Sequence, residues 1–402
     1  MAGLLSRFRR ETRANVAVIF SLALVPLFAM VGGAVDYSRA TKVQARLQAA
    51  LDAASLAVAK DSRRLGATDL QAAANRAFAG NFTADGDTQL NALRLTKDGN
   101  TIRLEIDGRV LTSVSTAVGI DSIPVYVVSQ TTWNEPRIEI ALVLDNTGSM
   151  GWSGKMEALK KAARDLIDEL EATRVSTDQV KIGIVPFDTQ VNIGTAFRNE
   201  NWLRFDGTGL SSSVVTTRSA WQGCLTDRDQ PADTNDLAPT SDPTRYRGVK
   251  CATGSLAAVQ PMTTNFAPLR TTIAAMQPSG NTNLTIGVQM GLAVMSSGVP
   301  FSQTGTEPDI LRYMIVLTDG DNTQSRYSTS STQIDARSTM ACNAVKAAGI
   351  TVFTVRVIEG NQTLLRNCAS DPSMYFNVTS SSGIGDAFKA ITSMIKRMRL
   401  SV

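Results

Sequence analysis

The sequence predicts an α/β fold: a doubly wound, mostly parallel sheet, preceded by a transmembrane helix and a small α+β region. Three observations predict it. From residue 138 onward, apolar runs of strand length alternate with segments of helical periodicity, as in a parallel sheet covered on both faces. Two of those runs end in loops rich in acids and hydroxyls, Asp145-Asn146-Thr147-Gly148-Ser149 and Thr318-Asp319-Gly320. Open α/β sheets hold their ligands at such carboxyl ends of strands. Near the N-terminus, residues 14–35 contain no charged side chain, enough apolar chain to cross a bilayer.

Taken in order, residues 1–13 read as a cytoplasmic tail and 14–35 as the span. Arg7, Arg9, Arg10 and Arg13 precede the span, which by the positive-inside rule keeps the N-terminus cytoplasmic and exports everything after Asp36. A cleaved signal peptide competes, with Gly32 and Ala34 as small residues before a cut; the length of the apolar run favours retention. Pro26 kinks the helix rather than ending it. Val43, Leu47, Ala50, Leu51, Ala54 and Val58 continue at helical spacing, giving a packed stalk or a pilin-like, partner-binding helix. A second helix covers Leu70 to Phe78. Alternating Ile102, Leu104 and Ile106 after Asp98-Gly99-Asn100 mark a β-hairpin. Val110 to Val118 and Pro124 to Gln130 read as further strands, completing a small unit over 36–133.

The large domain occupies 134–402. Its strands are expected at Ile138–Leu144, Val180–Phe187, Tyr313–Leu317, Thr351–Ile358 and Met374–Val378. Helices are expected over Gly154–Thr173, Ala267–Met276, Asn283–Ser296, Ile334–Ala348 and Gln362–Ala369, with a last one carrying Ile384, Phe388, Ile391, Met394, Ile395 and Met398 on one face. At about 190–265 the rhythm breaks into a stretch rich in Ser, Thr, Asp, Arg and Gly. So long a loop without order is improbable in a compact domain, which makes it a locally ordered insertion, either decoration or a partner-binding cap over the site.

Composition narrows the chemistry. The chain of 402 residues has a formal net charge of only +4, which does not suggest nucleic acid, and it has no histidine. That absence removes Ser-His-Asp and Cys-His catalysis, His-ligated zinc and His-based pH switching. The four cysteines, Cys224, Cys251, Cys342 and Cys368, form no C-x-x-C pair. In an exported chain they suggest disulfides; three pairings are possible, and pairing of neighbours is expected.

The N-terminal segments Arg10-Glu11-Thr12-Arg13-Ala14-Asn15-Val16-Ala17-Val18-Ile19-Phe20, Val35-Asp36-Tyr37-Ser38-Arg39 and Gln48-Ala49-Ala50-Leu51-Asp52-Ala53-Ala54-Ser55-Leu56-Ala57 resemble the N-terminal region of Tad pilus-assembly proteins of the TadE/TadG type. The resemblance implies a bacterial inner-membrane, single-pass protein with the bulk of its chain periplasmic, linked to Flp-type pilus biogenesis. No prepilin-peptidase pattern stands in the right place.

Asp145, Thr147 and Ser149 put three oxygen ligands on one side of a tight turn, a donor set suited to a hard divalent cation such as Mg²⁺. With Thr318-Asp319-Gly320 and Gly280-Asn281-Thr282-Asn283, this order resembles the metal-ion-dependent adhesion site of von Willebrand factor A domains. Thr147 departs from it, since serine is commoner there; the hydroxyl chemistry is the same. The resemblance implies that Thr147 and Ser149 ligate directly, that Asp145 and Asp319 supply charge directly or through water, and that Thr282 does either. An ion so held keeps an open position, which an acidic side chain of a partner can fill. A blander reading has Asp145 and Thr147 merely shaping a turn and capping the next helix.

Together the two resemblances look like a TadG-type protein: a non-enzymatic, membrane-anchored envelope component for pilus assembly, anchoring or adhesion, with another pilus component as partner. The enzyme alternative is a haloacid-dehalogenase-like phosphoryl-transfer enzyme, with Asp145 as nucleophile and Asp319-Gly320-Asp321-Asn322 as second acidic loop. It needs a lysine at the phosphate, and no lysine is convincingly placed by the sequence. An aspartic protease fits worse, because Asp145 stands one residue too early for Asp-Thr-Gly-Ser and no second such motif exists.

Overall fold

The computed structural model describes residues 12–62, 65–132, 136–174, 176–205, 215, 217–254, 256–307 and 309–400. The chain divides into two compact units, Met1–Asn134 and Glu135–Val402. Arg7, Arg9 and Arg10 of the expected cytoplasmic tail, and the expected boundary residues Asn134-Glu135, lie outside the described residues.

In the first unit, α1 (Thr12–Asp61) is one continuous helix with Pro26 inside it. Among the described residues it is the one helix long and apolar enough to cross a membrane, with mean hydropathy 1.9 in its most apolar stretch. Its apolar residues from Val16 to Val35 are largely exposed, whereas Val43, Leu47, Ala50, Leu51, Ala54 and Val58 are buried. The switch occurs where the helix begins to carry a core. That core is shared with α2 (Ala67–Asn81), through Leu70, Ala74 and Phe78, and with the inner face of an antiparallel sheet. The sheet contains β1 (Thr88–Leu90), β2 (Arg94–Asp98), β3 (Thr101–Leu111) and β4 (Ser122–Thr132). Asp98 pairs with Thr101 across Gly99-Asn100, the two-residue hairpin expected from the sequence.

One expectation here is corrected. Val110–Val118 is not a separate strand: β3 runs to Leu111, and Ser115–Val118 is a 3₁₀ turn. The cause is Asp36 on α1, whose carboxylate accepts hydrogen bonds from the Ser113, Val114 and Ser115 N–H groups at 3.0, 3.0 and 2.7 Å. Three amides bound to one side chain are lost to any ladder, so the chain turns.

The second unit is built on a six-stranded sheet. Its elements are β5 (Ile138–Asp145), α3 (Lys155–Thr173), β6 (Val180–Phe187), β7 (Val191–Asn192), β8 (Leu203–Arg204), β9 (Cys224–Thr226), β10 (Tyr246–Val249), β11 (Gln260–Thr263), α4 (Phe266–Ala275), α5 (Leu284–Val294), β12 (Leu311–Thr318), α6 (Ser331–Ala347), β13 (Thr351–Val357), α7 (Gln362–Cys368), β14 (Tyr375–Val378) and α8 (Gly383–Leu400). The main sheet has the order β11-β6-β5-β12-β13-β14, parallel throughout except for the antiparallel edge strand β11. One core layer contains residues of α5, α6 and α7, and the other residues of α3, α4 and α8. The fold is therefore the expected doubly wound α/β sheet.

The strand β11 lies within the stretch expected to be insertion, so the insertion proper ends before Gln260. The rest forms a second small sheet, ordered β7-β9-β10-β8. Cys224–Cys251 ties this sheet together, and Cys342–Cys368 joins α6 to the end of α7. Neighbouring cysteines pair, as expected. Arg228, fully buried, holds the insertion's turns by donating to the backbone carbonyls of Asn235, Leu237 and Thr244, with its guanidinium 4.5 Å from the Tyr246 ring centre.

Candidate metal centre

Eight consecutive buried residues make β5 the middle of the sheet, and Asp145 is its last residue. From β5 the chain goes first to β6 on one side and later to β12 on the other. The strand order reverses at this seam, and the crevice outside it is where a doubly wound sheet binds ligands. Leu144 pairs with Leu317, so the Asp145 loop and the Thr318-Asp319-Gly320 loop leave the sheet side by side.

The side chains at the seam converge. Asp145 Oδ1 accepts the Thr147 N–H at 2.8 Å, and its Oδ2 accepts the Thr318 hydroxyl at 2.6 Å. Thr147 Oγ1 and Ser149 Oγ lie 2.9 Å apart, and the Ser149 hydroxyl donates to Asp319 Oδ1 at 2.5 Å. The third loop arrives beside them, with Gly148 N–H donating to Gly280 O at 3.0 Å. A Cβ added to Gly320 would stand 3.4 Å from Ser149 Oγ and 3.6 Å from Thr282 Oγ1. The two hydroxyls thus border one small space that glycine leaves open. Asp145, Thr147, Ser149, Thr282 and Asp319 are all brought together.

Thr282 is fixed by its neighbours. Its N–H donates to Thr323 Oγ1 at 2.9 Å, and its carbonyl accepts from Thr323 and Gln324. Asn322 Oδ1 accepts the Leu284 N–H at 2.7 Å and so caps α5, while its amide donates to Asp335 at 2.7 Å. Asn322 is committed to structure and Asp321 faces solvent. Of the loop that the enzyme alternative invoked, Asp319 alone lies with the site side chains.

Two residues of the site escaped the sequence reading. The first is Lys155, whose ammonium lies against Asp319 Oδ2 with the lysine side chain only 5% exposed. The contact is a charge contact: Asp319 Oδ2 is buried and receives no aligned hydrogen bond. The expectation that no lysine is well placed is corrected. Its signal lay in Ser153-Gly154, both with positive φ, which turn the chain so that Lys155 opens α3 facing the loop. The second is Asp188, directly after β6. Its Oδ1 accepts the Gln190 N–H at 2.7 Å, and its Oδ2 stands 2.9 Å from where a Cβ on Gly280 would be. A carboxylate at the end of the strand next to β5 was the available clue.

Burial dominates the electrostatics. The Asp145 carboxyl is pushed up to about 6 by burial and then by the neighbouring Asp319 charge. Burial also raises Asp188 to about 6. Burial of the carboxylates at the seam makes their protonated forms easier to reach than in water. The insertion reaches the same loops: Asp227 accepts both the Asn283 amide, at 2.9 Å, and the Arg326 N–H, at 2.9 Å. Among the described residues no group of three or more aspartate, glutamate, histidine or cysteine side chains is placed to hold a metal ion. Among the five expected ligands, the hydroxyls of Thr147, Ser149 and Thr282 outnumber the carboxylates of Asp145 and Asp319.

Comparison with known families decides what these pieces are. The Tad family, Flp pilus-assembly TadE/G-like, matches residues 14–61, and the von Willebrand factor type A domain family matches 259–390. This chain joins a TadE/G-like region to a von Willebrand factor A domain. The second match begins after the insertion, while the sheet that completes the A domain includes β5 and β6 before it. No curated protein matches the chain. Among solved structures it is similar to the vWF domain of the type V pili tip protein Mfa5 from Porphyromonas gingivalis, at 12% identity and TM-score 0.42, covering 66% of this chain and 97% of that one. It is also similar to the pilus adhesin SpaC from Lactobacillus rhamnosus GG, at 12% identity and TM-score 0.39, covering 78% and 34%. A third likeness is to proximal thread matrix protein 1 from the mussel byssus with a zinc-occupied MIDAS motif, at 14% identity and TM-score 0.37, covering 65% and 48%. The chain thus spans less than half the length of the SpaC and byssus proteins. With TM-scores below 0.5, these likenesses say nothing of what the chain binds.

Proposed function

We propose that this chain is a non-enzymatic, membrane-anchored envelope component of a Flp-type pilus system, capturing a protein partner through a divalent cation held at the β5/β12 seam. Thr147, Ser149, Thr282, Asp145 and Asp319 would hold the ion, most fittingly Mg²⁺. The supporting observation is the run of oxygens from Thr147 Oγ1 through Ser149 Oγ to Asp319 Oδ1, separated by 2.9 and 2.5 Å. Adjacent ligands of an octahedral Mg²⁺, each about 2.1 Å from the ion, stand about 3 Å apart. When bound, such an ion offers Lewis acidity and an open position to an incoming carboxylate. The residues around it supply rigidity: Thr318 and the loop amide fix Asp145, and Gly280 fixes the turn at Gly148.

Capture is favoured over phosphoryl transfer by the state of Asp145. Lys155 at Asp319 supplies the lysine that phosphoryl transfer would need, but Asp145 is fully buried at the foot of the seam, which keeps it from a bulky phosphorylated substrate while leaving a small ion within reach. Beside the loop stands Trp152, 74% exposed, the kind of large aromatic that anchors a protein interface. Localisation in an inner membrane with the large domain outside the cytoplasm follows from the same reading of α1.

A pull-down with the full-length chain in detergent tests this. Envelope proteins should be retained in Mg²⁺ and released by chelator or by Asp145→Ala. Retention unaffected by either would refute the metal-dependent capture.

A further inference from the structure

We propose that the loop between β3 and β4, residues 112–121, is a second membrane contact, lying in the headgroup region of the bilayer that α1 crosses. It rests on the reading of α1 as the anchor. Asp36, just past the apolar run, binds the Ser113, Val114 and Ser115 amides, and Arg39 donates to Ser113 Oγ. Val114 occupies the space that a side chain on Gly32 would need. Gly32 lies inside the uncharged run, three residues or about 4.5 Å of helix rise before its end at Val35. The loop is therefore pinned to α1 at the level where the apolar run stops.

Its composition suits that level. No charged residue occurs from Thr112 to Ile120, and Val114, Val118 and Ile120 are 43, 54 and 52% exposed. Tyr37, 67% exposed on α1, marks the same level with the amphipathic ring favoured at membrane interfaces. The backbone is prepared for a poorly hydrated place, where unpaired amides are costly. The amides of Ser113, Val114 and Ser115 go to Asp36, and those of Thr112, Ala117, Gly119 and Ile120 to carbonyls of the same loop. Asp121 and Arg109, both exposed, stand at its base, where charges would face water. An uncharged loop with exposed Val114, Val118 and Ile120, and with most of its amides bound to Asp36 or to its own carbonyls, fits a lipid surface.

The full chain reconstituted in phosphatidylglycerol/phosphatidylethanolamine vesicles tests this. All four native cysteines are in disulfides, so one introduced cysteine can be labelled with an environment-sensitive NBD dye. The positions are Val118→Cys in the loop, Leu24→Cys in the span, and Asp98→Cys at the end of β2, opposite Thr101 at the far end of β3 and about 30 Å along that strand from the loop. The proposal expects blue-shifted emission at 118, quenched at least twofold by shallow nitroxide lipids, with emission at 98 remaining water-like. Quenching at 24 with water-like emission at 118 overturns the loop contact and leaves the anchor standing. Blue-shifted but unquenched emission at 118 overturns it in favour of a protein cover. No quenching at 24 overturns the anchor and the loop contact together.

Discussion

The Lys155 ammonium lies against Asp319 Oδ2, and both side chains are buried. This places a resident positive charge on a carboxylate that the proposed ion would share. Breaking a buried pair by removing one partner costs about 3–5 kcal/mol, because the remaining charge is uncompensated. In Lys155→Met the metal-free domain should therefore unfold at a clearly lower temperature, and Mg²⁺ should restore it. Calorimetry should show Mg²⁺ binding roughly tenfold tighter, about 1.4 kcal/mol, since no ammonium need move. Weaker binding in this variant would instead make Lys155 a residue that orients Asp319 for the ion.

Acidification should stabilise the metal-free large domain. Asp145, Asp188 and Asp227 are each raised by burial to about 6 from an ordinary 3.8. Between those values the folded state binds more protons than the unfolded one, so stability rises as pH falls through 6. Asp229 does not oppose this. Burial alone would raise it, but hydrogen bonds from Arg247 and Arg326 hold it down at about 2, and that contribution is lost only below about 4. Thermal unfolding of the large domain at pH 7.5 and 5.5, in chelator, should show the higher midpoint at 5.5. Mg²⁺ affinity should fall over the same interval, because protons compete for Asp145.

Gly280→Ala should damage the site from its third loop. Gly280 has φ of +82°, and a Cβ there would come within 2.9 Å of Asp188 Oδ2. Strain of this kind costs about 1–3 kcal/mol. The Gly280 carbonyl also receives the Gly148 amide, so the shift passes to Ser149. Unfolding midpoint and Mg²⁺ affinity should both drop, whereas Gly349→Ala, also at positive φ but with open space around it, should lower only the midpoint.

Opening the Cys342–Cys368 bridge should cost stability and spare the site. It closes a loop with a sequence separation of 26 residues, for which chain entropy gives about 3.5 kcal/mol. A Cys342→Ser/Cys368→Ser protein should melt lower but titrate with Mg²⁺ as the parent does.

The sheet was legible because its signal is periodic: β5, β6, β12 and β13 are apolar runs whose boundaries fall within a residue or two of expectation. Asp145, Thr147, Ser149 and Asp319 stand on loops at strand ends and could be singled out from local pattern, whereas Thr282, before α5, was reached only through the resemblance to von Willebrand factor A domains. Lys155 was not legible, since a lysine opening a helix looks like any solvated charge until two positive-φ residues aim it inward. Asp188 was hidden for a similar reason: one acid after a strand has meaning only once β6 is known to lie beside β5. The strand expected at Val110–Val118 failed because a distant carboxylate, Asp36, claims its amides. Local pattern cannot register a partner 77 residues away.

Titration calorimetry of the full-length chain in detergent with Mg²⁺, beside Ser149→Ala, tests the central claim most directly. Ser149 joins Thr147 to Asp319 within hydrogen-bond distance, and the small substitution should leave the fold intact by circular dichroism. The account predicts one saturable site in the parent and at least tenfold weaker binding in the variant. No binding at millimolar Mg²⁺, or equal affinity in both proteins, would contradict it.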